Sequence, residues 1–263
     1  MFGVYFIVSK QGEATEPAPG SSDSIASQTT APAFDARSLE QSLQSIAASY
    51  PSLETGVAVV APEQDQFASL EGDIPFMAAS TAKIIASAYA INQIENGNIS
   101  FDSTIGNASL KEHIERMIID SDNDAWYAIL NEFGYPAIAE FGNQNGAPSF
   151  NAADNTISPL DMSRFMSNLH QGRIISSKNT AYMEDLMVHS DTGTITLAPE
   201  FSSLNRKAGW LEDRQNITGV MSVGGKTIAY TIFAKSNNDT VFSSATGNML
   251  INDVLKTISA SLE

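Results

Sequence analysis

The spacing of apolar residues changes period twice along this 263-residue chain, and the order of the changes restricts what it can fold into. Asp35 stands where it can cap a helix that carries Leu39, Leu43 and Ile46 on one face. Residues 54–61 (ETGVAVVA) and 66–70 then read as two strands about a turn at Pro62 to Asp65. From Ser80 to His189 helical spacing takes over, with segments at 80–96, 110–119, 124–133, 158–170 and 177–188. Gly97 ends the first of these, Pro159 suits the first position of the fourth, and Asp161 is placed to close its capping box. Alternation returns in 203–211, 216–223 and 227–235, around a Gly224-Gly225 turn, and a helix over 244–262 closes the chain. The pattern predicts an α+β fold: an antiparallel sheet built from the N- and C-terminal segments, flanked by helices, with an all-helical lobe between them. A cleft between lobes is the natural place for a site.

Size and charge narrow the function. With 43% hydrophobic residues the chain can bury one large domain of two lobes. Thirty acidic against 14 basic side chains give a net charge of -16, which repels polyanions and excludes a nucleic-acid partner. The absence of cysteine rules out disulfides, thiol chemistry and Cys-ligated metal, and leaves the compartment open. Met1 to Val8 (MFGVYFIV) is apolar but too short to span a bilayer. The Ser-, Thr-, Ala- and Pro-rich stretch behind it, to Phe34, has a linker's composition. We therefore divide the chain into an N-terminal apolar segment with linker, 1–34, and a folded domain, 35–263. A truncated export segment on a stalk accounts for the first part and predicts an extracytoplasmic protein, secreted or tethered to the cell surface; a frayed terminus accounts for it about as well.

Three short motifs carry chemistry. Ser80-Thr81-Ala82-Lys83 opens a helix, and its Ser and Lys fall on one face. A helix N-terminus favours negative charge, so an oxyanion is stabilised at Ser80. The same field, with the apolar surroundings MAASTAKIIASAYAI, pushes Lys83 toward a neutral amine that can deprotonate Ser80. Taken alone, the pair is equally an N-cap serine with a snorkelling lysine. Ser121-Asp122-Asn123 precedes another helix, either as its cap or as a second hydroxyl and a substrate-binding amide. Lys207-Ala208-Gly209-Trp210 opens a strand; Gly209 permits close approach of a backbone or ligand, and the Trp210 N–H can complete an oxyanion hole with that of Ser80. His113, His170 and His189 lack metal-ligand spacing, and no G-x-S-x-G elbow pairs a serine with one of them. We assign no metal and no cofactor.

Occurring together in this order, each on the element it requires, the motifs resemble those of the class A β-lactamase and penicillin-binding-protein superfamily. The resemblance covers about Asp35 to the C-terminus, including the Asp154 to Pro159 entry to a helix. It implies Ser80 as acylated nucleophile, Lys83 as its base and Ser121 as proton shuttle. It further implies Ser80 and Trp210 as oxyanion-hole amides, and Asn123, Lys207, Ala208 and Gly209 as the substrate-binding set. Two positions depart from the family pattern. Ala208 stands where a Thr or Ser usually grips the substrate carboxylate. The family's active-site loop carries Glu-x-x-Leu-Asn, whose Glu positions the deacylating water, whereas Gly146 to Asp154 here contains no Glu. Asp154 or Asn151 of that loop is the candidate to orient a water instead, and Glu140, the nearest glutamate, falls on a surface helix.

The activity so implied is acyl-enzyme formation with a β-lactam or a related cell-wall amide or ester, followed by slow hydrolysis. Two alternatives share the pocket: a non-catalytic penicillin-binding-like module for a ligand or partner, and a D-alanyl peptidase or esterase. The partner is a small β-lactam or peptidoglycan-type molecule in each case.

Overall fold

A computed structural model describes residues 33–62, 66–237 and 241–263. In chain order its elements are α1 (Ala36–Ala48), β1 (Leu53–Ala61), β2 (Gln66–Leu70), β3 (Phe76–Met77), α2 (Lys83–Glu95), β4 (Thr104–Ile105) and β5 (Ala108–Ser109). There follow α3 (Leu110–Ile118), α4 (Asn123–Phe133), α5 (Tyr135–Gln144), β6 (Thr156–Ile157), α6 (Pro159–His170) and α7 (Ser177–Val188). The chain ends with β7 (Asn205–Leu211), β8 (Arg214–Val223), β9 (Lys226–Ser236) and α8 (Ser244–Leu262). Met1 to Pro32 lie outside the described residues, as do 63–65 of the first turn. Among the described residues no helix is long and apolar enough to cross a membrane.

The α+β architecture is the one the spacing predicts. Strand order is β2-β1-β9-β8-β7, antiparallel throughout, so the N-terminal hairpin forms one edge and the C-terminal strands the other. Gly224 and Gly225, at φ +59° and +79°, make the left-handed turn that joins β8 to β9 in register. Asp35 caps α1 by accepting from the Ser38 N–H, and the helix buries Leu39 and Leu43 toward the sheet and α8.

Three details differ from the sequence pattern. The alternating segments 216–223 and 227–235 are strands, as read, but they run longer and are buried on both faces over most of their length. α1 and α8 cover one side and α6 the other; the polar residues on the α6 side pair among themselves. Ser163 of α6 donates to Thr231 (2.9 Å) and to the Ala58 carbonyl (3.1 Å), and the Thr231 and Thr218 hydroxyls lie 2.9 Å apart. Asp161 does not close the capping box: Ser158 accepts from its N–H, but its carboxylate turns to the Ser149 N–H (2.7 Å) and fastens the loop before the helix. Ala33 and Phe34, at the end of the stretch with linker composition, are buried in the apolar layer with α1 and α8.

Helices α2 to α7 pack their apolar faces into a second cluster around Ile84, Ile91, Ile114, Met117, Ile129 and Phe165. The front of this lobe, where α2 begins and α3 gives way to α4, meets the β7 edge of the sheet.

Candidate active site

The helical segment expected to start at Ser80 begins as a 3-10 turn, Ala79–Ala82, and becomes α-helical at Lys83. Ser80 and Lys83 stay one turn apart on the same side, and Lys83 Nζ donates to Ser80 Oγ at 3.0 Å. Lys83 is 2% exposed. Burial lowers its amine to about 8, while the nearby Asp122 carboxylate opposes the shift. Its other partners are the Ser121 carbonyl and Asn123 Oδ1 (2.8 Å). Both of those accept only, so they take the two N–H groups of a neutral amine, and its lone pair is then directed at the remaining partner, the Ser80 hydroxyl. That geometry suits removal of a proton from Ser80.

The α3–α4 junction places the second motif. Asp122 caps α4 by accepting from the Ala125 N–H (2.9 Å) and also accepts from Arg116 of α3. Capping and site geometry coexist here, because Asp122 fixes the turn while its neighbours reach the lysines. Ser121 adopts φ +58°, a conformation uncommon for a side-chain-bearing residue, and this turns its carbonyl to Lys83 and its hydroxyl to Lys207. Asn123 is exposed apart from its bond to Lys83.

On β7, Lys207 is fully buried, with Nζ 3.0 Å from Ser121 Oγ and 3.4 Å from Ser190 Oγ. Burial first, and the charge of Lys83 second, lower it to about 7; Asp191 and Asp120 pull the other way. A Cβ on Gly209 would stand 2.6 Å from the Ser80 nitrogen and 3.1 Å from that of Thr81, so β7 backbone lies directly against the turn that carries Ser80. The Trp210 ring packs over Gly193, where a Cβ would come within 2.3 Å of it. Ala208 faces the opposite layer, fully buried in one cluster with Ile195 and Phe201.

Ser80, Lys83, Ser121, Asn123 and Lys207 thus form one connected set, with Gly209 against it. Sequence reasoning missed three more residues at this place. Ser190 touches Lys207; Asn155 donates to the Ala79 carbonyl (3.1 Å); Asn216 of β8 donates to the carbonyls of Met77 (2.8 Å) and Ala78 (3.2 Å). Nothing local marks Ser190 or Asn216, and Asn155 stands inside the segment read as a helix entry. The loop residues Asn151 and Asp154 are exposed and bonded to each other (2.7 Å), which closes their own turn. Glu140 lies exposed on α5, accepting from Gln144. His113 is buried against the Ile105 carbonyl, His170 meets Glu184, and His189 is exposed. Among the described residues no His, Cys, Asp or Glu cluster is arranged to hold a metal ion.

Helical lobe, five-stranded sheet and a Ser-Lys-Ser-Lys set at their junction are the arrangement of the β-lactamase and penicillin-binding-protein superfamily. The model of the beta-lactamase enzyme family matches residues 38–262, and the chain belongs to that family. Solved structures with the same fold include a beta-lactamase from Chitinophaga pinensis DSM 2588, 17% identical, covering 86% of this chain and 100% of that one at a TM-score of 0.75. A beta lactamase from Xanthomonas campestris pv. campestris is 15% identical, with coverages of 86% and 98% and a TM-score of 0.74. PBP-A is 20% identical, with coverages of 85% and 95% and a TM-score of 0.73; a variant of it has been solved as an acyl-enzyme complex with penicillin G. No curated protein matches the chain.

Proposed function

We propose that this protein is an active-site-serine hydrolase in which Ser80 is acylated by β-lactams or related cell-wall amides and esters. The observation that carries the proposal is Lys83, buried and lowered to about 8, with its amine on Ser80 Oγ. In the reaction Lys83 takes the Ser80 proton as Oγ bonds to the acyl carbon. The N–H groups of Ser80 and Trp210 stabilise the oxyanion, and Ser121 Oγ passes a proton to the departing nitrogen as the C–N bond breaks. Lys207 orients Ser121 and supplies positive potential toward a substrate carboxylate. Asn123 and the β7 backbone at Gly209 align the donor.

Deacylation is slow in this proposal. Gly146 to Asp154 holds no glutamate, and its Asn151 and Asp154 are bonded to each other. The penicillin G acyl-enzyme of PBP-A supports a β-lactam as donor. Place of action outside the cytoplasm completes the proposal, on the composition of the first 34 residues.

The test is mass spectrometry after incubation with penicillin, beside nitrocefin and fluorescent-penicillin assays, on wild type and Ser80→Ala. The expected result is a persisting adduct on Ser80, a burst followed by slow turnover, and neither in Ser80→Ala. A folded sample that gives no adduct with several acyl donors overturns the proposal. Ala208, turned into an apolar layer with no hydroxyl for a carboxylate, favours the reading as a non-catalytic binding module. Hydrolysis that vanishes in Ser80→Ala counts against that reading. A panel of chromogenic lactams and D-alanyl peptides separates lactamase from peptidase or esterase.

A further inference from the structure

The residue before the nucleophile has a backbone that side chains rarely adopt: Ala79 stands at φ +50°. Strain of this kind costs ~1–3 kcal/mol and persists where surrounding groups over-determine the conformation. Two side-chain amides do so here. Asn216, 1% exposed in the interior of β8, donates through one nitrogen to the Met77 carbonyl at 2.8 Å and the Ala78 carbonyl at 3.2 Å. Asn155, itself at φ +51°, donates to the Ala79 carbonyl at 3.1 Å and accepts from the Ala78 N–H at 2.8 Å through its own backbone carbonyl. The carbonyls of 77, 78 and 79 are therefore fixed in succession, and the last of them belongs to the very peptide that carries the Ser80 N–H, so the orientation of that N–H is held with it.

The register of the sheet gives this arrangement a second meaning. Asn216 is the β8 partner of Gly209, the residue whose missing side chain lets β7 approach the Ser80 nitrogen. One rung thus supplies both the glycine in front of the nucleophile's N–H and the amide that holds the turn beneath it. An amide buried in a central strand needs an acceptor somewhere. Both acceptors of Asn216 belong to the turn that presents Ser80.

We infer that Asn216 is a positioning residue for acyl transfer at Ser80, acting with Asn155 by locking the strained Met77–Ala79 backbone so that the Ser80 N–H and hydroxyl meet the acyl group together. The inference rests on Ser80 acylation as proposed above. Neither asparagine touches the reacting atoms. Their effect is therefore on the acylation step, not on initial binding, since a misplacement of about 1 Å at such a site costs on the order of 100-fold in rate.

Stopped-flow acylation by a fluorescent penicillin, which separates the dissociation constant of the initial complex from the acylation rate constant, tests this. Wild type, Asn216→Asp and Asn155→Ala are compared, with Tm measured for each. Asn216→Asp keeps the shape but turns an oxygen, in place of the N–H donors, toward two carbonyl oxygens. Its acylation rate constant is expected to fall on the order of 100-fold, with initial binding unchanged, and that of Asn155→Ala to fall in the same direction. Folded variants that acylate at the wild-type rate, or that lose only initial binding, overturn the inference. Should Asn216→Asp not fold, Asn155→Ala, in a half-buried loop, decides by the same two outcomes. Absence of an adduct in the wild type instead removes the acylation proposal itself, so the two failures are distinguishable.

Discussion

Adding one carbon at Gly209 should separate acylation from folding. Gly209 is not among the residues with positive φ, so alanine is conformationally permitted there and the cost is steric. Its Cβ would lie 2.6 Å from the Ser80 nitrogen, 3.0 Å from Ala79 Cβ and 3.1 Å from the Thr81 nitrogen. Two of these are backbone atoms, which cannot rotate away. To reach ordinary contact, β7 and the Ser80 turn must part by roughly 0.8 Å. The turn is held from behind by Asn216 and Asn155 and β7 is hydrogen-bonded to β8, so the opening occurs at the nucleophile. Overpacking of this kind destabilises by about 1–3 kcal/mol, which for a domain of this size lowers Tm by roughly 2–4 °C per kcal/mol. The acylation rate constant should fall much further, on the order of 100-fold, because the displaced N–H is the one that meets the oxyanion in the proposed reaction. Fluorescent-penicillin labelling kinetics beside a thermal melt measure both. A Gly209→Ala protein that labels at the wild-type rate with unchanged Tm would show that β7 does not press on the nucleophile as described.

Three further outcomes follow from the two buried lysines. The acylation rate should rise as pH approaches about 8, because protonated Lys83 cannot take the Ser80 proton, and fall again at higher pH, where Lys207, lowered to about 7, has no proton to pass to Ser121; a flat labelling rate between pH 6 and pH 10 contradicts Lys83 as base. Asp122→Asn removes a carboxylate that raises the Lys83 value, so the midpoint of the profile's rising limb should move to lower pH, and an unmoved or higher midpoint refutes that coupling. Lys207, lowered from 10.5 to about 7, binds more protons unfolded than folded between those values. Its burial therefore costs most at or below pH 7 and less as pH rises, by at most about 1.4 kcal/mol per pH unit. Lys207→Met should accordingly gain most over wild type near pH 6.5 and lose that advantage toward pH 10; urea unfolding at several pH values that gives a constant difference goes against it.

The elements that local spacing determines were legible in the sequence. Asp35, the run through Leu43, the Gly224-Gly225 turn and the helix from Ser244 are each fixed by neighbours within a few positions, and the structure keeps them. The parts of the site that lie on motifs were legible for the same reason: Lys83 follows Ser80 by three positions, and one helical turn joins them. What escaped depends on strand pairing. Asn216 is a polar residue in an apolar strand until register sets it against Gly209 and under Ala78. Ser190 acquires a partner only once α7 ends beside β7. The burial of Thr231 in β9 was likewise out of reach of local spacing, since its partner is Ser163 of α6, 68 positions away.

The same long-range contacts explain why two lysines can serve one reaction without cancelling each other. Both amines reach Ser121, Lys83 at its carbonyl and Lys207 at its hydroxyl, so the residue with the unusual φ of +58° is the link between them. The charge of Lys83 lowers Lys207, and little solvent is present to screen it because both side chains are buried. In the proposed reaction, when Lys83 takes the Ser80 proton it becomes a cation, and a proton on Lys207 is held less firmly from that moment. The path away from Lys207 runs through the Ser121 hydroxyl, 3.0 Å distant, toward the departing nitrogen. Proton uptake at one end thus promotes release at the other. Asp120 and Asp191 oppose the lowering of Lys207 and keep its amine near neutrality, where it can release a proton and recover one. In the proposed reaction this pair and the hydroxyl between them carry the protons of acylation, whereas deacylation needs a base beside a water; with Asn151 and Asp154 bonded to each other, capture of an acyl group is favoured over its release in this proposal.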